Sequence, residues 1–353
     1  MRLPLSATRV FSLAAILLIA AAVPARADSA RRRAVGRAEW RREALQTMRV
    51  AAAGQLISER QQLAAYVGAG FNTLCVFDVN GYTQFSAGWD FKTAEQVRFE
   101  TSFAREKGMP LILGLAVEPH DTSSGRIAEA TDAEIRARLQ LWKTYGDDVV
   151  IGVFPWYDDV FWQTVDVGRQ LHIYRLIKEV VPDWYVFGMI GEFGFKATED
   201  EVRRHYEPAA FDHLIALMYP YDLCGVVGAS LDHKASADPD GDLTRYVDRY
   251  IAGMELKFFR YLQPGQLIVL VGQAFYYPGQ AEGRTPRGQD IAIMMGRGME
   301  RVRELAGQER NYSAAYYHWG AEGGSIVGLW QRPDWLEAAR EVHARMRAET
   351  VAP

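Results

Sequence analysis

The chain has 353 residues, 49% of them hydrophobic and 12% aromatic, which is enough to bury a large core, and no proline- or serine-rich tract divides it. Its 40 bases and 44 acids give a net charge of −4, a balance without the basic face that nucleic acid requires. Cys75 and Cys224 are the only cysteines, so a disulfide framework is excluded, although a single bridge between the two stays open.

Residues 1–27 have the three parts of an export leader: Arg2 and Arg9 at the start, an apolar stretch from Phe11 to Val23, and a small-residue cleavage pattern at Ala25-Arg26-Ala27. Cleavage removes Arg2, Arg9 and Arg26 and leaves 37 bases against 44 acids, so the mature chain, expected to be secreted or periplasmic, carries a charge of −7. The apolar stretch is short for a bilayer, and no later segment offers ~18 uncharged apolar residues, so no integral membrane segment is expected after cleavage. Residues 28–46 form a basic N-terminal segment containing "ARRRAVGRAEWRR". It is predicted as a solvated, partly frayed helix, with contact to an anionic envelope surface as the second reading.

Residues 47–353 form one catalytic-type domain in which short apolar runs alternate with segments of helical periodicity, the pattern of βαβ units and a parallel sheet. A weak strand within Arg49–Ser58 and the helical "ERQQLAAYVGAG" open the series. Strands are predicted at Asn72–Asp78, Pro110–Val117, Val149–Phe154, Trp184–Ile190, His213–Tyr219, Leu267–Gln273 and Ser325–Trp330. Helices are predicted at Thr93–Lys107, Ala133–Tyr145, Gln170–Val180, Leu243–Tyr261 and Gln289–Leu305. With the weak first unit the strands number eight, the closure number of a (β/α)8 TIM barrel. An open doubly wound sheet fits the same apolar runs, but no G-x-G-x-x-G turn follows the first strand and polar residues recur after nearly every strand.

In such a barrel the loops after the strands meet at one mouth. The residues delivered there are Asp78 and Asn80; Glu118, His120 and Asp121; Trp156, Tyr157, Asp158 and Asp159; Glu192; Tyr219, Tyr221 and Asp222; Gln273, Phe275, Tyr276 and Tyr277; and Trp330, Gln331 and Arg332. Carboxylates, amides and aromatic rings dominate this set. Rings suit the faces of a sugar and carboxylates and amides suit its hydroxyls, whereas a phosphorylated ligand calls for more arginine and lysine. Glycosidic bond hydrolysis needs two carboxyl groups, one protonated and one ionised.

The stretch "GVFPWYDDVFW" (152–162) resembles the end of strand four in secreted (β/α)8 glycoside hydrolases of the clan-A-like group, where an acid follows the strand in a pattern like G-Y-x-x-D-E-P. "GAGFNTLCVFD", "AREKGMPLILGLAVEP", "FDHLIALMYPYD" and "GSIVGLWQRPDW" likewise resemble strand segments of glycosidase-like barrels, including the DUF4434 type. The resemblance implies an exported carbohydrate-active hydrolase with Asp159, or its neighbour Asp158, as general acid. It also implies a strand-seven glutamate as nucleophile, and this chain has Gln273 there, in "LIVLVGQAFYYPG". An amide cannot form a glycosyl ester, so the second carboxylate is expected elsewhere: Glu192 first, flanked by Gly191 and Gly194, then Asp222, Glu118 or Asp78, with an inverting mechanism accommodating the change. The remaining expected substrate contacts are Asn80, Trp156, Tyr157, Tyr219, Tyr221, Gln273, Phe275 and Trp330.

Competing readings accompany these assignments. Asp158 or Asp159 also suits the N-cap of a helix starting near Val160, Glu192 suits a structural ion pair, and the rings suit core packing. A glycan-binding or envelope-associated barrel without catalysis is the alternative to hydrolysis. No cofactor is implied: His120, His213 and His318 lack metal-ligand spacing, "DPDGD" (238–242) has Arg249 where a calcium loop needs glutamate, and no G-x-S-x-G elbow occurs.

Overall fold

Eight parallel strands organise the structure, a computed structural model that describes residues 36–52, 56–80, 91–115, 117, 130–156, 158–221, 231–306, 313–320 and 326–351. In chain order the strands are β1 (Arg49–Ala52), β2 (Leu74–Phe77), β3 (Leu111–Gly114), β4 (Val150–Phe154), β5 (Tyr185–Ile190), β6 (His213–Met218), β7 (Ile268–Gln273), a short β8 (Phe275–Tyr276), β9 (Ser313–Tyr317) and a short β10 (Val327–Gly328). The large sheet runs β1-β9-β7-β6-β5-β4-β3-β2, and β8 pairs with β10 as a separate ribbon. Asn72 and Thr73 donate their N–H groups to the Arg49 carbonyl at 3.0 and 3.3 Å, which brings the two end strands together and nearly closes the barrel.

Helices fill the crossovers where the apolar periodicity and the caps agree. Thr93 with Gln96, Thr131 with Glu134, and Thr198 with Glu201 make reciprocal capping boxes at the starts of Ala94–Lys107, Asp132–Gly146 and Glu199–His205. Asp166 and Asp238 cap Val167–Val180 and Pro239–Lys257, so the acidic "DPDGD" is a helix start.

Strand side chains alternate between two apolar layers. Leu74, Val76, Leu214, Ala216, Ile268 and Leu270 face the helices, while Cys75, Phe77, Ile215, Leu217, Val269 and Val271 fill the barrel interior. A register shift pairs Leu111 with Val150 but Ile112 with Gly152, an irregularity that places both Ile151 and Phe154 inside.

Two expectations are corrected. The eighth barrel strand is Ser313–Tyr317, between β7 and β1, not Ser325–Trp330, within whose described residues only Val327–Gly328 is strand. The described part of the basic segment, from Gly36 on, is not a solvated appendage. Its helix, Arg37–Gln46, buries Trp40, Arg41, Ala44 and Leu45, and the three apolar ones join the interior layer at the end where the strands begin. Arg41 is fully buried because its guanidinium bonds the carbonyls of Val150 (3.1 Å) and Asp147 (2.5 Å). The helix thereby closes the barrel floor. His213 lies at the same end, its Nδ1 accepting from Leu267 N at 3.0 Å. Cys75 is an unbonded thiol inside the barrel, and burial pushes it up to about 12; Cys224 and residues 1–27 lie outside the described residues.

Candidate active site

The C-terminal ends of β4, β5 and β6 bring three carboxyl groups together. Asp159, 1% exposed, is wired into the backbone: Oδ2 accepts from Gly191 N (2.8 Å) and Gly194 N (3.0 Å), and Oδ1 from Phe161 N (3.0 Å). Gly194 is obligatory, since a Cβ there would collide with Ile190 and lie 3.0 Å from the Phe161 ring. This glycine serves internal packing, not the approach of a ligand. Asp158, half-buried, has one oxygen on the N–H of Asp159 at 2.7 Å. Glu192 begins the short helix Glu192–Lys196 and is 7% exposed; its Oε1 accepts from Tyr219 N and, at 3.4 Å, from the Tyr246 hydroxyl.

Removal from water dominates the chemistry of all three, because the charged form is the one penalised. Burial pushes Glu192 up to about 8, against the Tyr219 N–H and reinforced by the nearby Asp159 and Asp158 charges. Asp158 is pushed up to about 7 by burial, with Asp159 adding to the effect. Asp159 rises to only about 6, because the N–H groups of Gly194, Phe161 and Gly191 stabilise its ionised form.

Aromatic side chains border these acids. Tyr219, at the inward-facing position after β6, lies 5.3 Å from Phe275 and 6.3 Å from Tyr317. Burial raises its hydroxyl well above 10, as do the charges of Asp158, Tyr317, Glu192 and Tyr277. Phe275 packs edge-on against Tyr317 at 5.0 Å and Tyr277 at 6.1 Å. Trp156 is buried after β4, its indole N–H meeting no acceptor among the described residues.

Several expected site residues are engaged inside the protein. Asp78 shares the outward phase of Leu74 and Val76; Arg138 Nε donates to its Oδ2 at 2.7 Å, while Arg138 Nη2 and Trp142 Nε1 (2.6 Å) donate to Oδ1. Asn80 pairs with Gln96, at 2.8 Å in one direction and 3.3 Å in the other. Gln273 is fully buried: its oxygen accepts from Tyr221 N and its amide donates to Tyr221 O, both at 3.0 Å, and also to Phe275 O at 3.3 Å. The Tyr221 hydroxyl meets Asp290 and Arg287. Trp330 stacks on Trp319, centroids 6.0 Å apart, while Tyr276 packs on Trp335. Gln331 accepts from Gly328 N at 2.7 Å and Arg332 pairs with Asp334 at 2.8 Å. Glu118, His120, Asp121, Tyr157 and Asp222 lie outside the described residues.

Tyr317 is absent from the expected set, because its strand was not recognised. The available signal was the phase of "SAAYY", which turns Ala315 and Tyr317 to the interior. His318 follows it, buried and with Nδ1 accepting from Gly320 N at 3.0 Å; burial lowers it to about 4. Among the described residues, no group of three or more His, Cys, Asp or Glu side chains is arranged to hold a metal ion, and no helix is long and apolar enough to cross a membrane.

Comparison with solved structures finds the same overall architecture. A glycoside hydrolase family 5 mannosidase from Rhizomucor miehei superposes with a TM-score of 0.54 at 10% identity, covering 87% of this chain and 95% of the mannosidase. Active domain 2 of a chitinase from Pyrococcus furiosus gives a TM-score of 0.51 at 9% identity, covering 87% of this chain and 97% of the domain. The fold is a (β/α)8 barrel, as in these two enzymes. Identities this low establish architecture alone, and the sequence matches no protein-family profile and no curated protein.

Proposed function

We propose that this chain is an exported enzyme that hydrolyses a glycosidic bond in an oligo- or polysaccharide, with Glu192 and Asp158 as its working carboxyls. The observation that carries the reading is the meeting of these two groups, both with raised proton affinity, beside Tyr219 where the strands end. Glu192, the more deeply buried of the two, serves as general acid to the leaving oxygen, and half-buried Asp158 serves as general base toward water. Asp159, whose oxygens are taken by three backbone N–H groups, positions both by binding their loops together.

Gln273 argues for a single displacement. Its amide is committed to Tyr221 and Phe275, and it offers no carboxylate to form a covalent glycosyl intermediate. Product from such a reaction has inverted anomeric configuration. The same residue favours a second reading, a glycan-binding barrel without catalysis.

The test is to screen the mature protein against a polysaccharide panel, reading the product anomer by NMR, alongside Asp158→Asn and Glu192→Gln. Both variants are expected to fold and to lose turnover by about a hundredfold or more, the scale of general acid–base catalysis. Full activity in both would end the catalytic assignment, and saturable binding without turnover in the parent would favour the second reading. Export is tested by N-terminal sequencing of the extracytoplasmic protein, with Asp28 expected first.

A further inference from the structure

The rim between the β4 and β5 loops carries an aromatic pair that the proton-transfer chemistry does not use. Trp162 is 40% exposed, and its ring centroid lies 4.6 Å from that of half-buried Phe193, the planes tilted by 40°. The sequence neighbours Phe161 and Phe195 turn inward and pack on the core, whereas Trp162 and Phe193 belong to neither apolar layer. The other large apolar side chains that are well exposed among the described residues, Val67, Phe99, Leu256, Tyr261 and Leu305, lie in crossover helices or the short turn after one. Among the described residues, Trp162 is the one of this group at the ends of the strands.

Its position is fixed before any ligand arrives. Phe193 follows Glu192 directly and Trp162 comes three residues after Asp159. Asp159 holds both segments, accepting from Phe161 N on the Trp162 side and from Gly191 N and Gly194 N on either side of Phe193. A preorganised ring pair beside carboxyl groups has a specific complement. Its apolar faces suit the C–H face of a pyranose, the acids accept hydroxyl protons, and their charge when ionised disfavours a phosphate or a uronate.

We propose that Trp162 and Phe193 form a stacking subsite for a neutral pyranose ring adjacent to the reacting sugar, which makes the substrate a chain of sugars and not a simple glycoside. The proposal rests on the reading of Asp158 and Glu192 as the hydrolytic pair, and it assigns that pair its neighbouring subsite.

Binding separates the two ideas. In an Asp158→Asn background, calorimetry and affinity electrophoresis would measure cello-, manno-, xylo- and chito-oligosaccharides from disaccharide to hexasaccharide. Trp162→Ala and Phe193→Ala are expected to weaken the best hexasaccharide by about tenfold or more, and Trp162→Phe to recover most of the loss. Thermal melting checks folding of each variant, and Trp162→Ala, at the more exposed ring, is the one expected to leave it undisturbed. If a hexasaccharide binds and both alanine variants hold it as tightly as the background protein, the subsite is wrong and the hydrolytic reading stands. If the background protein retains none of the sugars, the reading of the mouth as a glycan site falls and takes the subsite with it.

Discussion

Replacing Glu192 by glutamine should make the protein more stable at neutral pH while destroying its activity. Burial raises this carboxyl from 4.5 to about 8. The folded state therefore binds its proton more tightly than the unfolded chain does, and the stability this contributes is complete below about 4.5 and lost as pH rises through about 8. At pH 7 the penalty for keeping the group protonated in the fold amounts to roughly 3 kcal/mol. Glutamine keeps an oxygen for Tyr219 N and the Tyr246 hydroxyl and presents an N–H where the acid carries its proton. The expected gain is about 1–3 kcal/mol at pH 7, several degrees in Tm, and close to zero near pH 4. Urea titrations of parent and variant from pH 4.5 to 8 isolate this group as the difference between two curves. A difference that does not grow with pH would refute the reasoning, because the carboxyl would then be ionised in the fold without penalty.

Other consequences are equally direct. If Asp158 must be ionised and Glu192 protonated, kcat/KM should follow a narrow bell whose limbs lie near about 7 and about 8, and a plateau extending to pH 10 would contradict the assignment of roles. Gln273→Glu should create no nucleophile. It places a carboxylate against the Tyr221 and Phe275 carbonyls and should cost about 1–3 kcal/mol, read by urea denaturation. Arg138→Met should cost about 3–5 kcal/mol by leaving Asp78 buried without its partner, while the shape of the pH–activity profile stays that of the parent.

The rhythm of the barrel was visible in the sequence because strands covered on both sides must be largely apolar, and "LILG", "VIGVF" and, after His213, "LIALM" are. "SAAYY" escaped because it holds no branched aliphatic residue, whereas "SIVGLW" has β-rich composition but forms two strand residues and a turn. Ladder position is a tertiary property that composition does not carry. The acids of the site were legible as residues but not as roles. Asp78 could have been set aside from the outward phase of Leu74 and Val76. Nothing in "DD" tells which carboxyl is tied to backbone N–H groups, since those donors come from Gly191 and Gly194, more than thirty positions away. The irregular register of β4 also breaks the alternation from which phase would be counted.

Arg41, buried with its guanidinium on Asp147 and Val150, makes the amino-terminal stopper a condition of the barrel's integrity. A recombinant form begun after Gln46 would present Met48, Val50 and Ile151 to water through an uncorked base. Purification tags therefore belong ahead of residue 36. With that floor in place, a ligand would approach from the other end of the strands, the rim where Trp162 stands.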